Sequence, residues 1–408
     1  MGFLAGTNLS AVSQSMHKSG RGAAPQLVSA SDKGNSMFKR LFVDNYKCFV
    51  NFTVDLNDLT LLAGYNGTGK TSVLDVMYAL RELLAGRAKI SDPMMFPASS
   101  LTRWQTVNVQ TIELHTDFDG DELCYRLEIE HDQRQNLARI SKEALSDSQG
   151  RPLFLFQMGE VSLFRDNHSA GPVYSADWSE SAMARVPEGR GNNRLTRFLG
   201  AIRNILVCGL YPASFEHETM RPEVMLDRDA SNFSSWYQHV QLEDPGQVEA
   251  FRKTIAEVID GLDQIRLQQT GLTRRALMVR FDSAGRRYEL PLNEISDGQR
   301  ALIALYALIN LSSGLGYTLF LDQPENYVAL AEIQPWLMEL SDRCGDSIPQ
   351  AVICTHHPEV IDYLGAEHGV SLLREGSGAT KIRALSEISA DPESGLKLSE
   401  ILARGWET

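Results

Sequence analysis

What the sequence lacks narrows its class before any motif is read. No apolar run reaches the roughly 18 residues that a helical membrane span needs, so no membrane partner is expected. The five cysteines (Cys48, Cys124, Cys208, Cys344, Cys354) are scattered, with no Cys-x-x-Cys pair. That pattern argues against a disulfide framework or a zinc site and fits the reduced thiols of a cytoplasmic protein. Basic residues are in deficit, 39 Lys and Arg against 52 Asp and Glu, a net charge of −13. A chain coated for nucleic acid is thereby excluded, and any DNA contact must come from a local basic face. Internal repeats and sustained heptads are also missing, which excludes solenoids and long coiled coils. What remains, 408 residues with 43% hydrophobic and 22% charged, is long enough for two units or one large core with an insertion.

Residues 1–36 are rich in Ser, Gly and Ala, with one acid (Asp32) and three bases. A single Arg and the absence of a long apolar core argue against a targeting peptide. Gly6 stands where a myristoylation signal needs Ser or Thr. The segment reads as a disordered tail or a non-native start, with the fold beginning near Met37.

From there "FKRLFVDNY" and "CFVNFTVDL" alternate apolar and polar residues, and "LTLLAG" reads as a buried strand. A glycine-rich turn and the helical pattern "KTSVLDVMYALRELLAG" follow. "VNVQTIELHTDF", "LCYRLEIEH" and "QNLARISKEAL" predict an antiparallel meander. "NNRLTRFLGAIRNILVCGL" and "DPGQVEAFRKTIAEVIDGLDQI" read as helices, the second capped by Asp244 with Pro245 at its first position. After strands in "ALMVRF" and "RRYELPL" come a helix over 297–313, a strand over 317–321, a helix over 329–341, a strand over 350–354 and a helix from about 358. That alternation signals a parallel sheet with crossover helices.

"GYNGTGKT", Gly64 to Thr71, matches GxxxxGK[ST] at every fixed position, after a strand and before a helix. Glycines let backbone N–H groups of Asn66, Gly67, Thr68 and Gly69 curl round phosphate oxygens, and the helix start, through Ser72, adds its dipole. Lys70 reaches the β- and γ-phosphates of ATP, and Thr71 offers its hydroxyl to Mg²⁺. "YTLFLDQPEN" buries a strand and ends it in Asp322, a second candidate for the Mg²⁺ shell. Gln105 and Gln110, in "RWQTVNVQTIEL", both qualify as a γ-phosphate sensor acting through the metal, with Gln110 slightly favoured. Ser296-Asp297-Gly298-Gln299 precedes a long helix and makes an anion site of small side chains at a helix start. The plainer reading is a capped core helix.

These motifs together resemble the SMC/RecF/OLD-like branch of ABC-type ATPases, especially stand-alone bacterial AAA-family proteins. "LDQPEN" is similar to their "DEPEN", "THHPEVI" to "THSPELI", and "SDGQ" to their signature, with Asp297 in place of a glycine. "DNYKCF" resembles the turn before their P-loop, with Lys47 at its basic position. The resemblance implies that Ser296, Gly298 and Gln299 contact ATP held by a second copy. It also implies that His356 is the switch histidine, and that His357 is a loop residue. Gln323 takes the place of the catalytic glutamate. It can orient water but cannot accept its proton, whether the glutamine is the chain's own or an introduced trap of the ATP-bound state. Glu325 is a poor geometric substitute and is expected to brace the dimer loop.

The implied fold class is α/β: an ABC-type P-loop ATPase head with a mixed parallel sheet, an antiparallel β lobe and a helical insertion. Residues 37–150 form the N-terminal lobe, 151–285 a mostly helical insertion, and 286–408 the C-terminal lobe with the signature, Asp322 and His356. The long interval between Lys70 and Asp322 suits the RecF/OLD-like class. The stretch after His356 is too short for a Toprim nuclease domain. The implied function is an ATP- and Mg²⁺-dependent homodimer, or higher oligomer, that switches a separately encoded effector, in anti-phage defence, with slow hydrolysis. The alternative is an actively hydrolysing RecF-like ATPase of DNA repair or maintenance that binds DNA. For the latter, Arg185, Arg190, Arg194, Arg197 and Arg203 offer a basic cluster, the plainer reading being a solvated helix. Phe233, Trp236 and Tyr237 read as core.

Overall fold

The order of elements follows the alternation and runs read above. The computed structural model describes residues 36–132, 134–135, 137–388 and 396–405, and apart from Ser36 the expected tail lies outside them. Strands β1 (Ser36–Asp44), β2 (Phe52–Asp55) and β3 (Leu59–Ala63) lead into helix α1 (Lys70–Leu84). The meander comprises β4 (Val109–Phe118), β5 (Asp121–Asp132), β6 (Leu137–Asp147), β7 (Pro152–Gln157), β8 (Glu160–Phe164) and β9 (Ala170–Ser175). Next are α2 (Asn193–Arg203), β10 (Ile205–Cys208), β11 (Glu218–Thr219), α3 (Phe233–Glu243), α4 (Pro245–Val258), β12 (Leu262–Gln269), β13 (Arg275–Ser283) and β14 (Arg286–Pro291). The chain continues through α5 (Asp297–Leu315), β15 (Thr318–Asp322), α6 (Leu330–Arg343), β16 (Ala351–Thr355), α7 (Pro358–His368), β17 (Gly369–Leu373), β18 (Lys381–Ala384) and α8 (Leu398–Ala403).

Three sheets result. An eight-stranded sheet runs β2-β1-β4-β5-β6-β7-β8-β9, antiparallel between all neighbours. In β4 every second residue is buried, as one covered face requires. A six-stranded sheet runs β10-β15-β16-β3-β17-β18, parallel except for β18. Strands β10, β3 and β16 are buried along their whole length because both faces are covered, whereas the edge strand β18 is not. Leu206, Leu319, Leu321 and Ile353 face one core with α3 to α6. Val207, Phe320, Val352 and Cys354 face the other, with α1, α2 and the large sheet. A third sheet joins β11, β12 and β14 around β13.

The region expected as a mostly helical insertion is mixed. Strands β7 to β9 complete the large sheet, so the boundary at 150 cuts through it. "NILVC" is not the end of a helix: α2 stops at Arg203, and Ile205–Cys208 forms the edge strand β10 beside β15. A short apolar run fits either element, and its β-branched residues favour a strand once a sheet edge is available. The Asp244 cap is present, its side chain accepting from the Gln247 N–H. Phe233, Trp236 and Tyr237 are buried as expected.

All five cysteines are free thiols. Cys124 groups with Glu113 and His115 on the large sheet, but Glu113 is held by Arg126. No described helix is long and apolar enough to cross a membrane.

Candidate functional site

The parallel register brings three strand ends to one rim. Asp322 lies opposite Cys354, and Thr355 opposite Ala63, so the carboxyl ends of β15, β16 and β3 align. The rim of such a sheet is where its loops converge on a ligand.

The loop from Gly64 to Thr71 follows β3 and opens α1. Gly64 has φ 144°, and a Cβ there would lie 2.5 Å from the Leu372 carbonyl oxygen. Gly69 has φ 108°, with the Phe49 ring only 2.6 Å from where a Cβ would sit. Only glycine fits both conformations and both spaces. Lys70 is buried, and its ammonium donates to the carbonyls of Gly64 (2.7 Å) and Tyr65 (2.9 Å). Burial lowers its pKa, while Cys354, Asp322 and Glu325 oppose that shift. The ammonium is thus parked on exchangeable acceptors inside its own loop. An open pocket of about 590 Å³ lies against it, lined by Asn66, Gly67, Gly69, Lys70, Thr71, Ser72 and Gln323. Lys47, Trp104 and Arg374 line it too. The size is that of a small-molecule cleft.

Asp322 tests the fit of a divalent cation. Its Oδ1 is buried and has no hydrogen-bond partner. Burial raises its pKa, opposed by the Thr71 hydroxyl, Arg228 and Lys70. An orphaned carboxylate oxygen beside a hydroxyl is a hard-oxygen donor set that suits Mg²⁺. Lys47 and Arg228 both bridge Asp75, one turn along α1, each at 2.5 Å. Those two cations are therefore committed to a protein carboxylate.

Gln323 takes φ 49°, a conformation that costs a non-glycine residue energy and is retained where the surroundings enforce it. Its N–H donates to the Cys354 carbonyl (2.8 Å), tying the turn to β16. The side-chain Nε2 lies 3.1 Å from His356 Nδ1, and Oε1 accepts from Asn326 Nδ2 at 3.0 Å. Because the amide nitrogen only donates, His356 Nδ1 accepts and its proton resides on Nε2. Burial and Lys70 both lower the His356 pKa, which keeps the ring neutral. His357 caps α7, its Nδ1 accepting from the Glu359 N–H.

Glu325 is buried. Its Oε1 accepts from the Thr355 hydroxyl at 2.5 Å, while Oε2 has no partner. It therefore braces the end of β16. Burial pushes its pKa up to about 7. The folded state holds this proton more tightly than the unfolded chain, so stability present below the ordinary carboxylate pKa is lost as pH rises through about 7. The Glu325→Gln chain, which keeps the acceptor for Thr355, should escape that loss. In urea titrations its advantage should be small near pH 5, reach up to about 3 kcal/mol by pH 8 and then level off. An advantage that does not change with pH would remove the buried-acid account.

One expectation is corrected. Gln110 is fully buried: its Nε2 donates to Asn45 O (3.0 Å) and Ser100 Oγ (3.1 Å), and its Oε1 faces His131 Nε2 (2.9 Å). All its polar capacity is engaged away from the pocket lining, which removes it as a metal ligand. The arginine cluster is largely neutralised, Arg185 by Glu180, Arg194 by Asp121, Arg197 by Asp119 and Arg203 by Glu188. These four are a paired surface, in line with the plainer reading as a solvated face.

Ser296 caps α5, its hydroxyl accepting from the Gln299 N–H while the Gln299 side chain returns to the Ser296 N–H. Ser296 is exposed, and Ser296, Gly298 and Gln299 are not in the lining of the P-loop pocket. Trp104 and Arg374, which do line it, belong to no motif, and their position follows only from the tertiary fold.

No curated protein matches this chain. Among solved structures, the SMC head domain from Thermotoga maritima is 16% identical, covers 85% of this chain and 98% of its own, and has a TM-score of 0.45. An SMC head bound to the C-winged helix domain of ScpA is 12% identical, covers 86% and 98%, and has a TM-score of 0.52. The fold is that of an SMC head. The family model described as "AAA domain, putative AbiEii toxin, Type IV TA system" matches residues 59–362, which take in the P-loop, Asp322 and His356, and the chain belongs to this family of SMC/RecF-like ABC-type ATPases.

Proposed function

We propose that this chain is an ATP-gated latch: it binds ATP with Mg²⁺, pairs with a second copy around the nucleotide, and hydrolyses it slowly. The observation that carries the reading is the contrast within one rim. Lys70 and Thr71 in the pocket lining and the orphaned Asp322 oxygen at the end of β15 offer phosphate and metal donors, while the base position holds the Gln323 amide.

On binding, the Lys70 ammonium exchanges the Gly64 and Tyr65 carbonyls for phosphate oxygens, and the N–H groups at the start of α1 close on the same oxygens. Thr71 and Asp322 would hold the cation, which would supply positive charge against the phosphates. The His356 Nε2–H is left free to donate to the terminal phosphate. Gln323 orients an attacking water through its amide but takes no proton from it.

Dimerisation is supported by where the signature sits. Ser296, Gly298 and Gln299 lie away from their own chain's pocket, so a second copy supplies them. Beside them Tyr211 and Tyr327, each about half exposed, meet edge to face at 6.5 Å. Arg300 ties the start of α5 to this patch through the Pro212 carbonyl. A second copy would cover the aromatic pair and the open helix start together. The ATP-bound dimer would then present a surface to a separately encoded effector, as in anti-phage systems. A protein partner is supported by the SMC head of similar fold that is bound to the C-winged helix domain of ScpA. The DNA-repair reading loses its main support with the pairing of the arginines.

In light scattering, ATP with Mg²⁺ should double the mass of the chain. Ser296→Arg should leave it monomeric, still binding ATP at its own P-loop but more weakly, because the second copy's contacts to the nucleotide are lost. An equal mass with and without ATP would sink the sandwich.

A further inference from the structure

Trp104 is a large aromatic left 46% exposed at the mouth of a polar pocket. It lies on the segment between α1 and β4. The Arg374 guanidinium stands 5.6 Å from its ring centroid. Arg374 is itself fixed: Nε donates to the Gly378 carbonyl (2.7 Å), Nη2 to Ser377 O (3.2 Å) and Nη1 to Gly67 O (3.2 Å). The last bond reaches the phosphate loop. One guanidinium thus joins the P-loop to the exposed ring.

We propose that Trp104, positioned by Arg374, is the base-recognition wall of the nucleotide site, on which the adenine ring of ATP stacks. The inference rests on the P-loop reading and extends it from triphosphate to nucleoside. Three observations carry it. The ring and Lys70 line the same pocket of about 590 Å³, so a ligand anchored by its phosphates has its base within reach of the ring. The exposed ring surface is apolar area that water covers poorly and a flat aromatic covers well. An Arg held against the ring keeps it from rotating out and adds a cation over the π-system. The lining of this pocket includes Lys47, Arg103 and Arg374 and no carboxylate to repel a nucleotide.

The test separates base from phosphate. Affinities for ATP and for base-free tripolyphosphate, each with Mg²⁺, are measured by calorimetry on the full chain, Trp104→Leu and Trp104→Phe. Trp104→Leu should lose about tenfold in ATP affinity, the range of one base–aromatic stack, with tripolyphosphate affinity unchanged. Trp104→Phe should retain most of the ATP affinity. ATP, but not tripolyphosphate, should quench the exposed tryptophan's fluorescence, and that difference should vanish in Trp104→Phe. An equal loss for both ligands, or no loss of ATP affinity, overturns the stacking wall while leaving the P-loop reading intact. Failure of the unsubstituted chain to bind either ligand overturns both.

Discussion

The Gln323→Glu chain should release phosphate from ATP about a hundredfold faster than the present chain, the lower part of the range a positioned general base supplies. The geometry is ready for it. The Gln323 side chain sits at the end of β15, bonded to His356 and Asn326, and lines the phosphate pocket. The substitution replaces an amide donor by an acceptor without changing side-chain length. A carboxylate there would accept the proton of an attacking water, which the amide cannot do. The backbone already pays for the turn, since Gln323 holds φ 49° with its N–H on Cys354 O. Single-turnover phosphate release on both chains decides the matter. Rates within about twofold of each other would mean that position 323 does not control turnover. A faster glutamate chain should also show a shorter-lived ATP-bound dimer in light scattering, because hydrolysis removes the ligand that joins the copies.

How much of this was legible follows from which signals are local. The P-loop is read from eight consecutive residues, and the glycines at 64 and 69 take conformations and spaces that only glycine fits. The helix expected over 297–313 is α5, Asp297–Leu315, and its cap at Ser296 carries both halves of a capping box. The strands over 317–321 and 350–354 appear within one residue, since an all-apolar run bounded by turns fits little else in a parallel sheet. β10 was missed because an apolar run after a helix carries no sign of the partner strand, which lies more than a hundred residues on. Gln110 misled for a related reason. Its place at the start of β4 is right for a sensor, but the buried neighbours that occupy its amide, Asn45, Ser100 and His131, come from three other parts of the chain. Trp104 and Arg374 carry no pattern at all. They meet because β17 pairs with β3 and so delivers Arg374 beside the loop.

Asp322→Asn should make the nucleotide-free protein more stable and its complex with ATP and Mg²⁺ far weaker. The sign follows from burial: the Asp322 carboxyl has a folded pKa above its ordinary value, and one of its oxygens is buried without a partner. The folded state therefore favours the neutral form, and stability is lost as pH rises above the ordinary carboxylate range. A neutral amide avoids that loss at pH 7.5, so the melting temperature of the ligand-free variant should lie above that of the parent. The same change removes the charge that a divalent cation needs, and about a hundredfold or more in Mg²⁺-dependent ATP affinity should go with it. At a hundredfold excess of ATP over its Kd, ligand stabilises the parent by about 2.7 kcal/mol, and the variant should lose nearly all of that increment. The two melting curves should then cross: variant above parent without ligand, parent above variant with it. A variant that melts lower without ligand and still shifts upward with ATP and Mg²⁺ would show that the orphaned oxygen is neither strained nor a metal ligand. Such a crossing would tie the lower stability of the ligand-free protein to cation binding, because one unpaired oxygen would account for both.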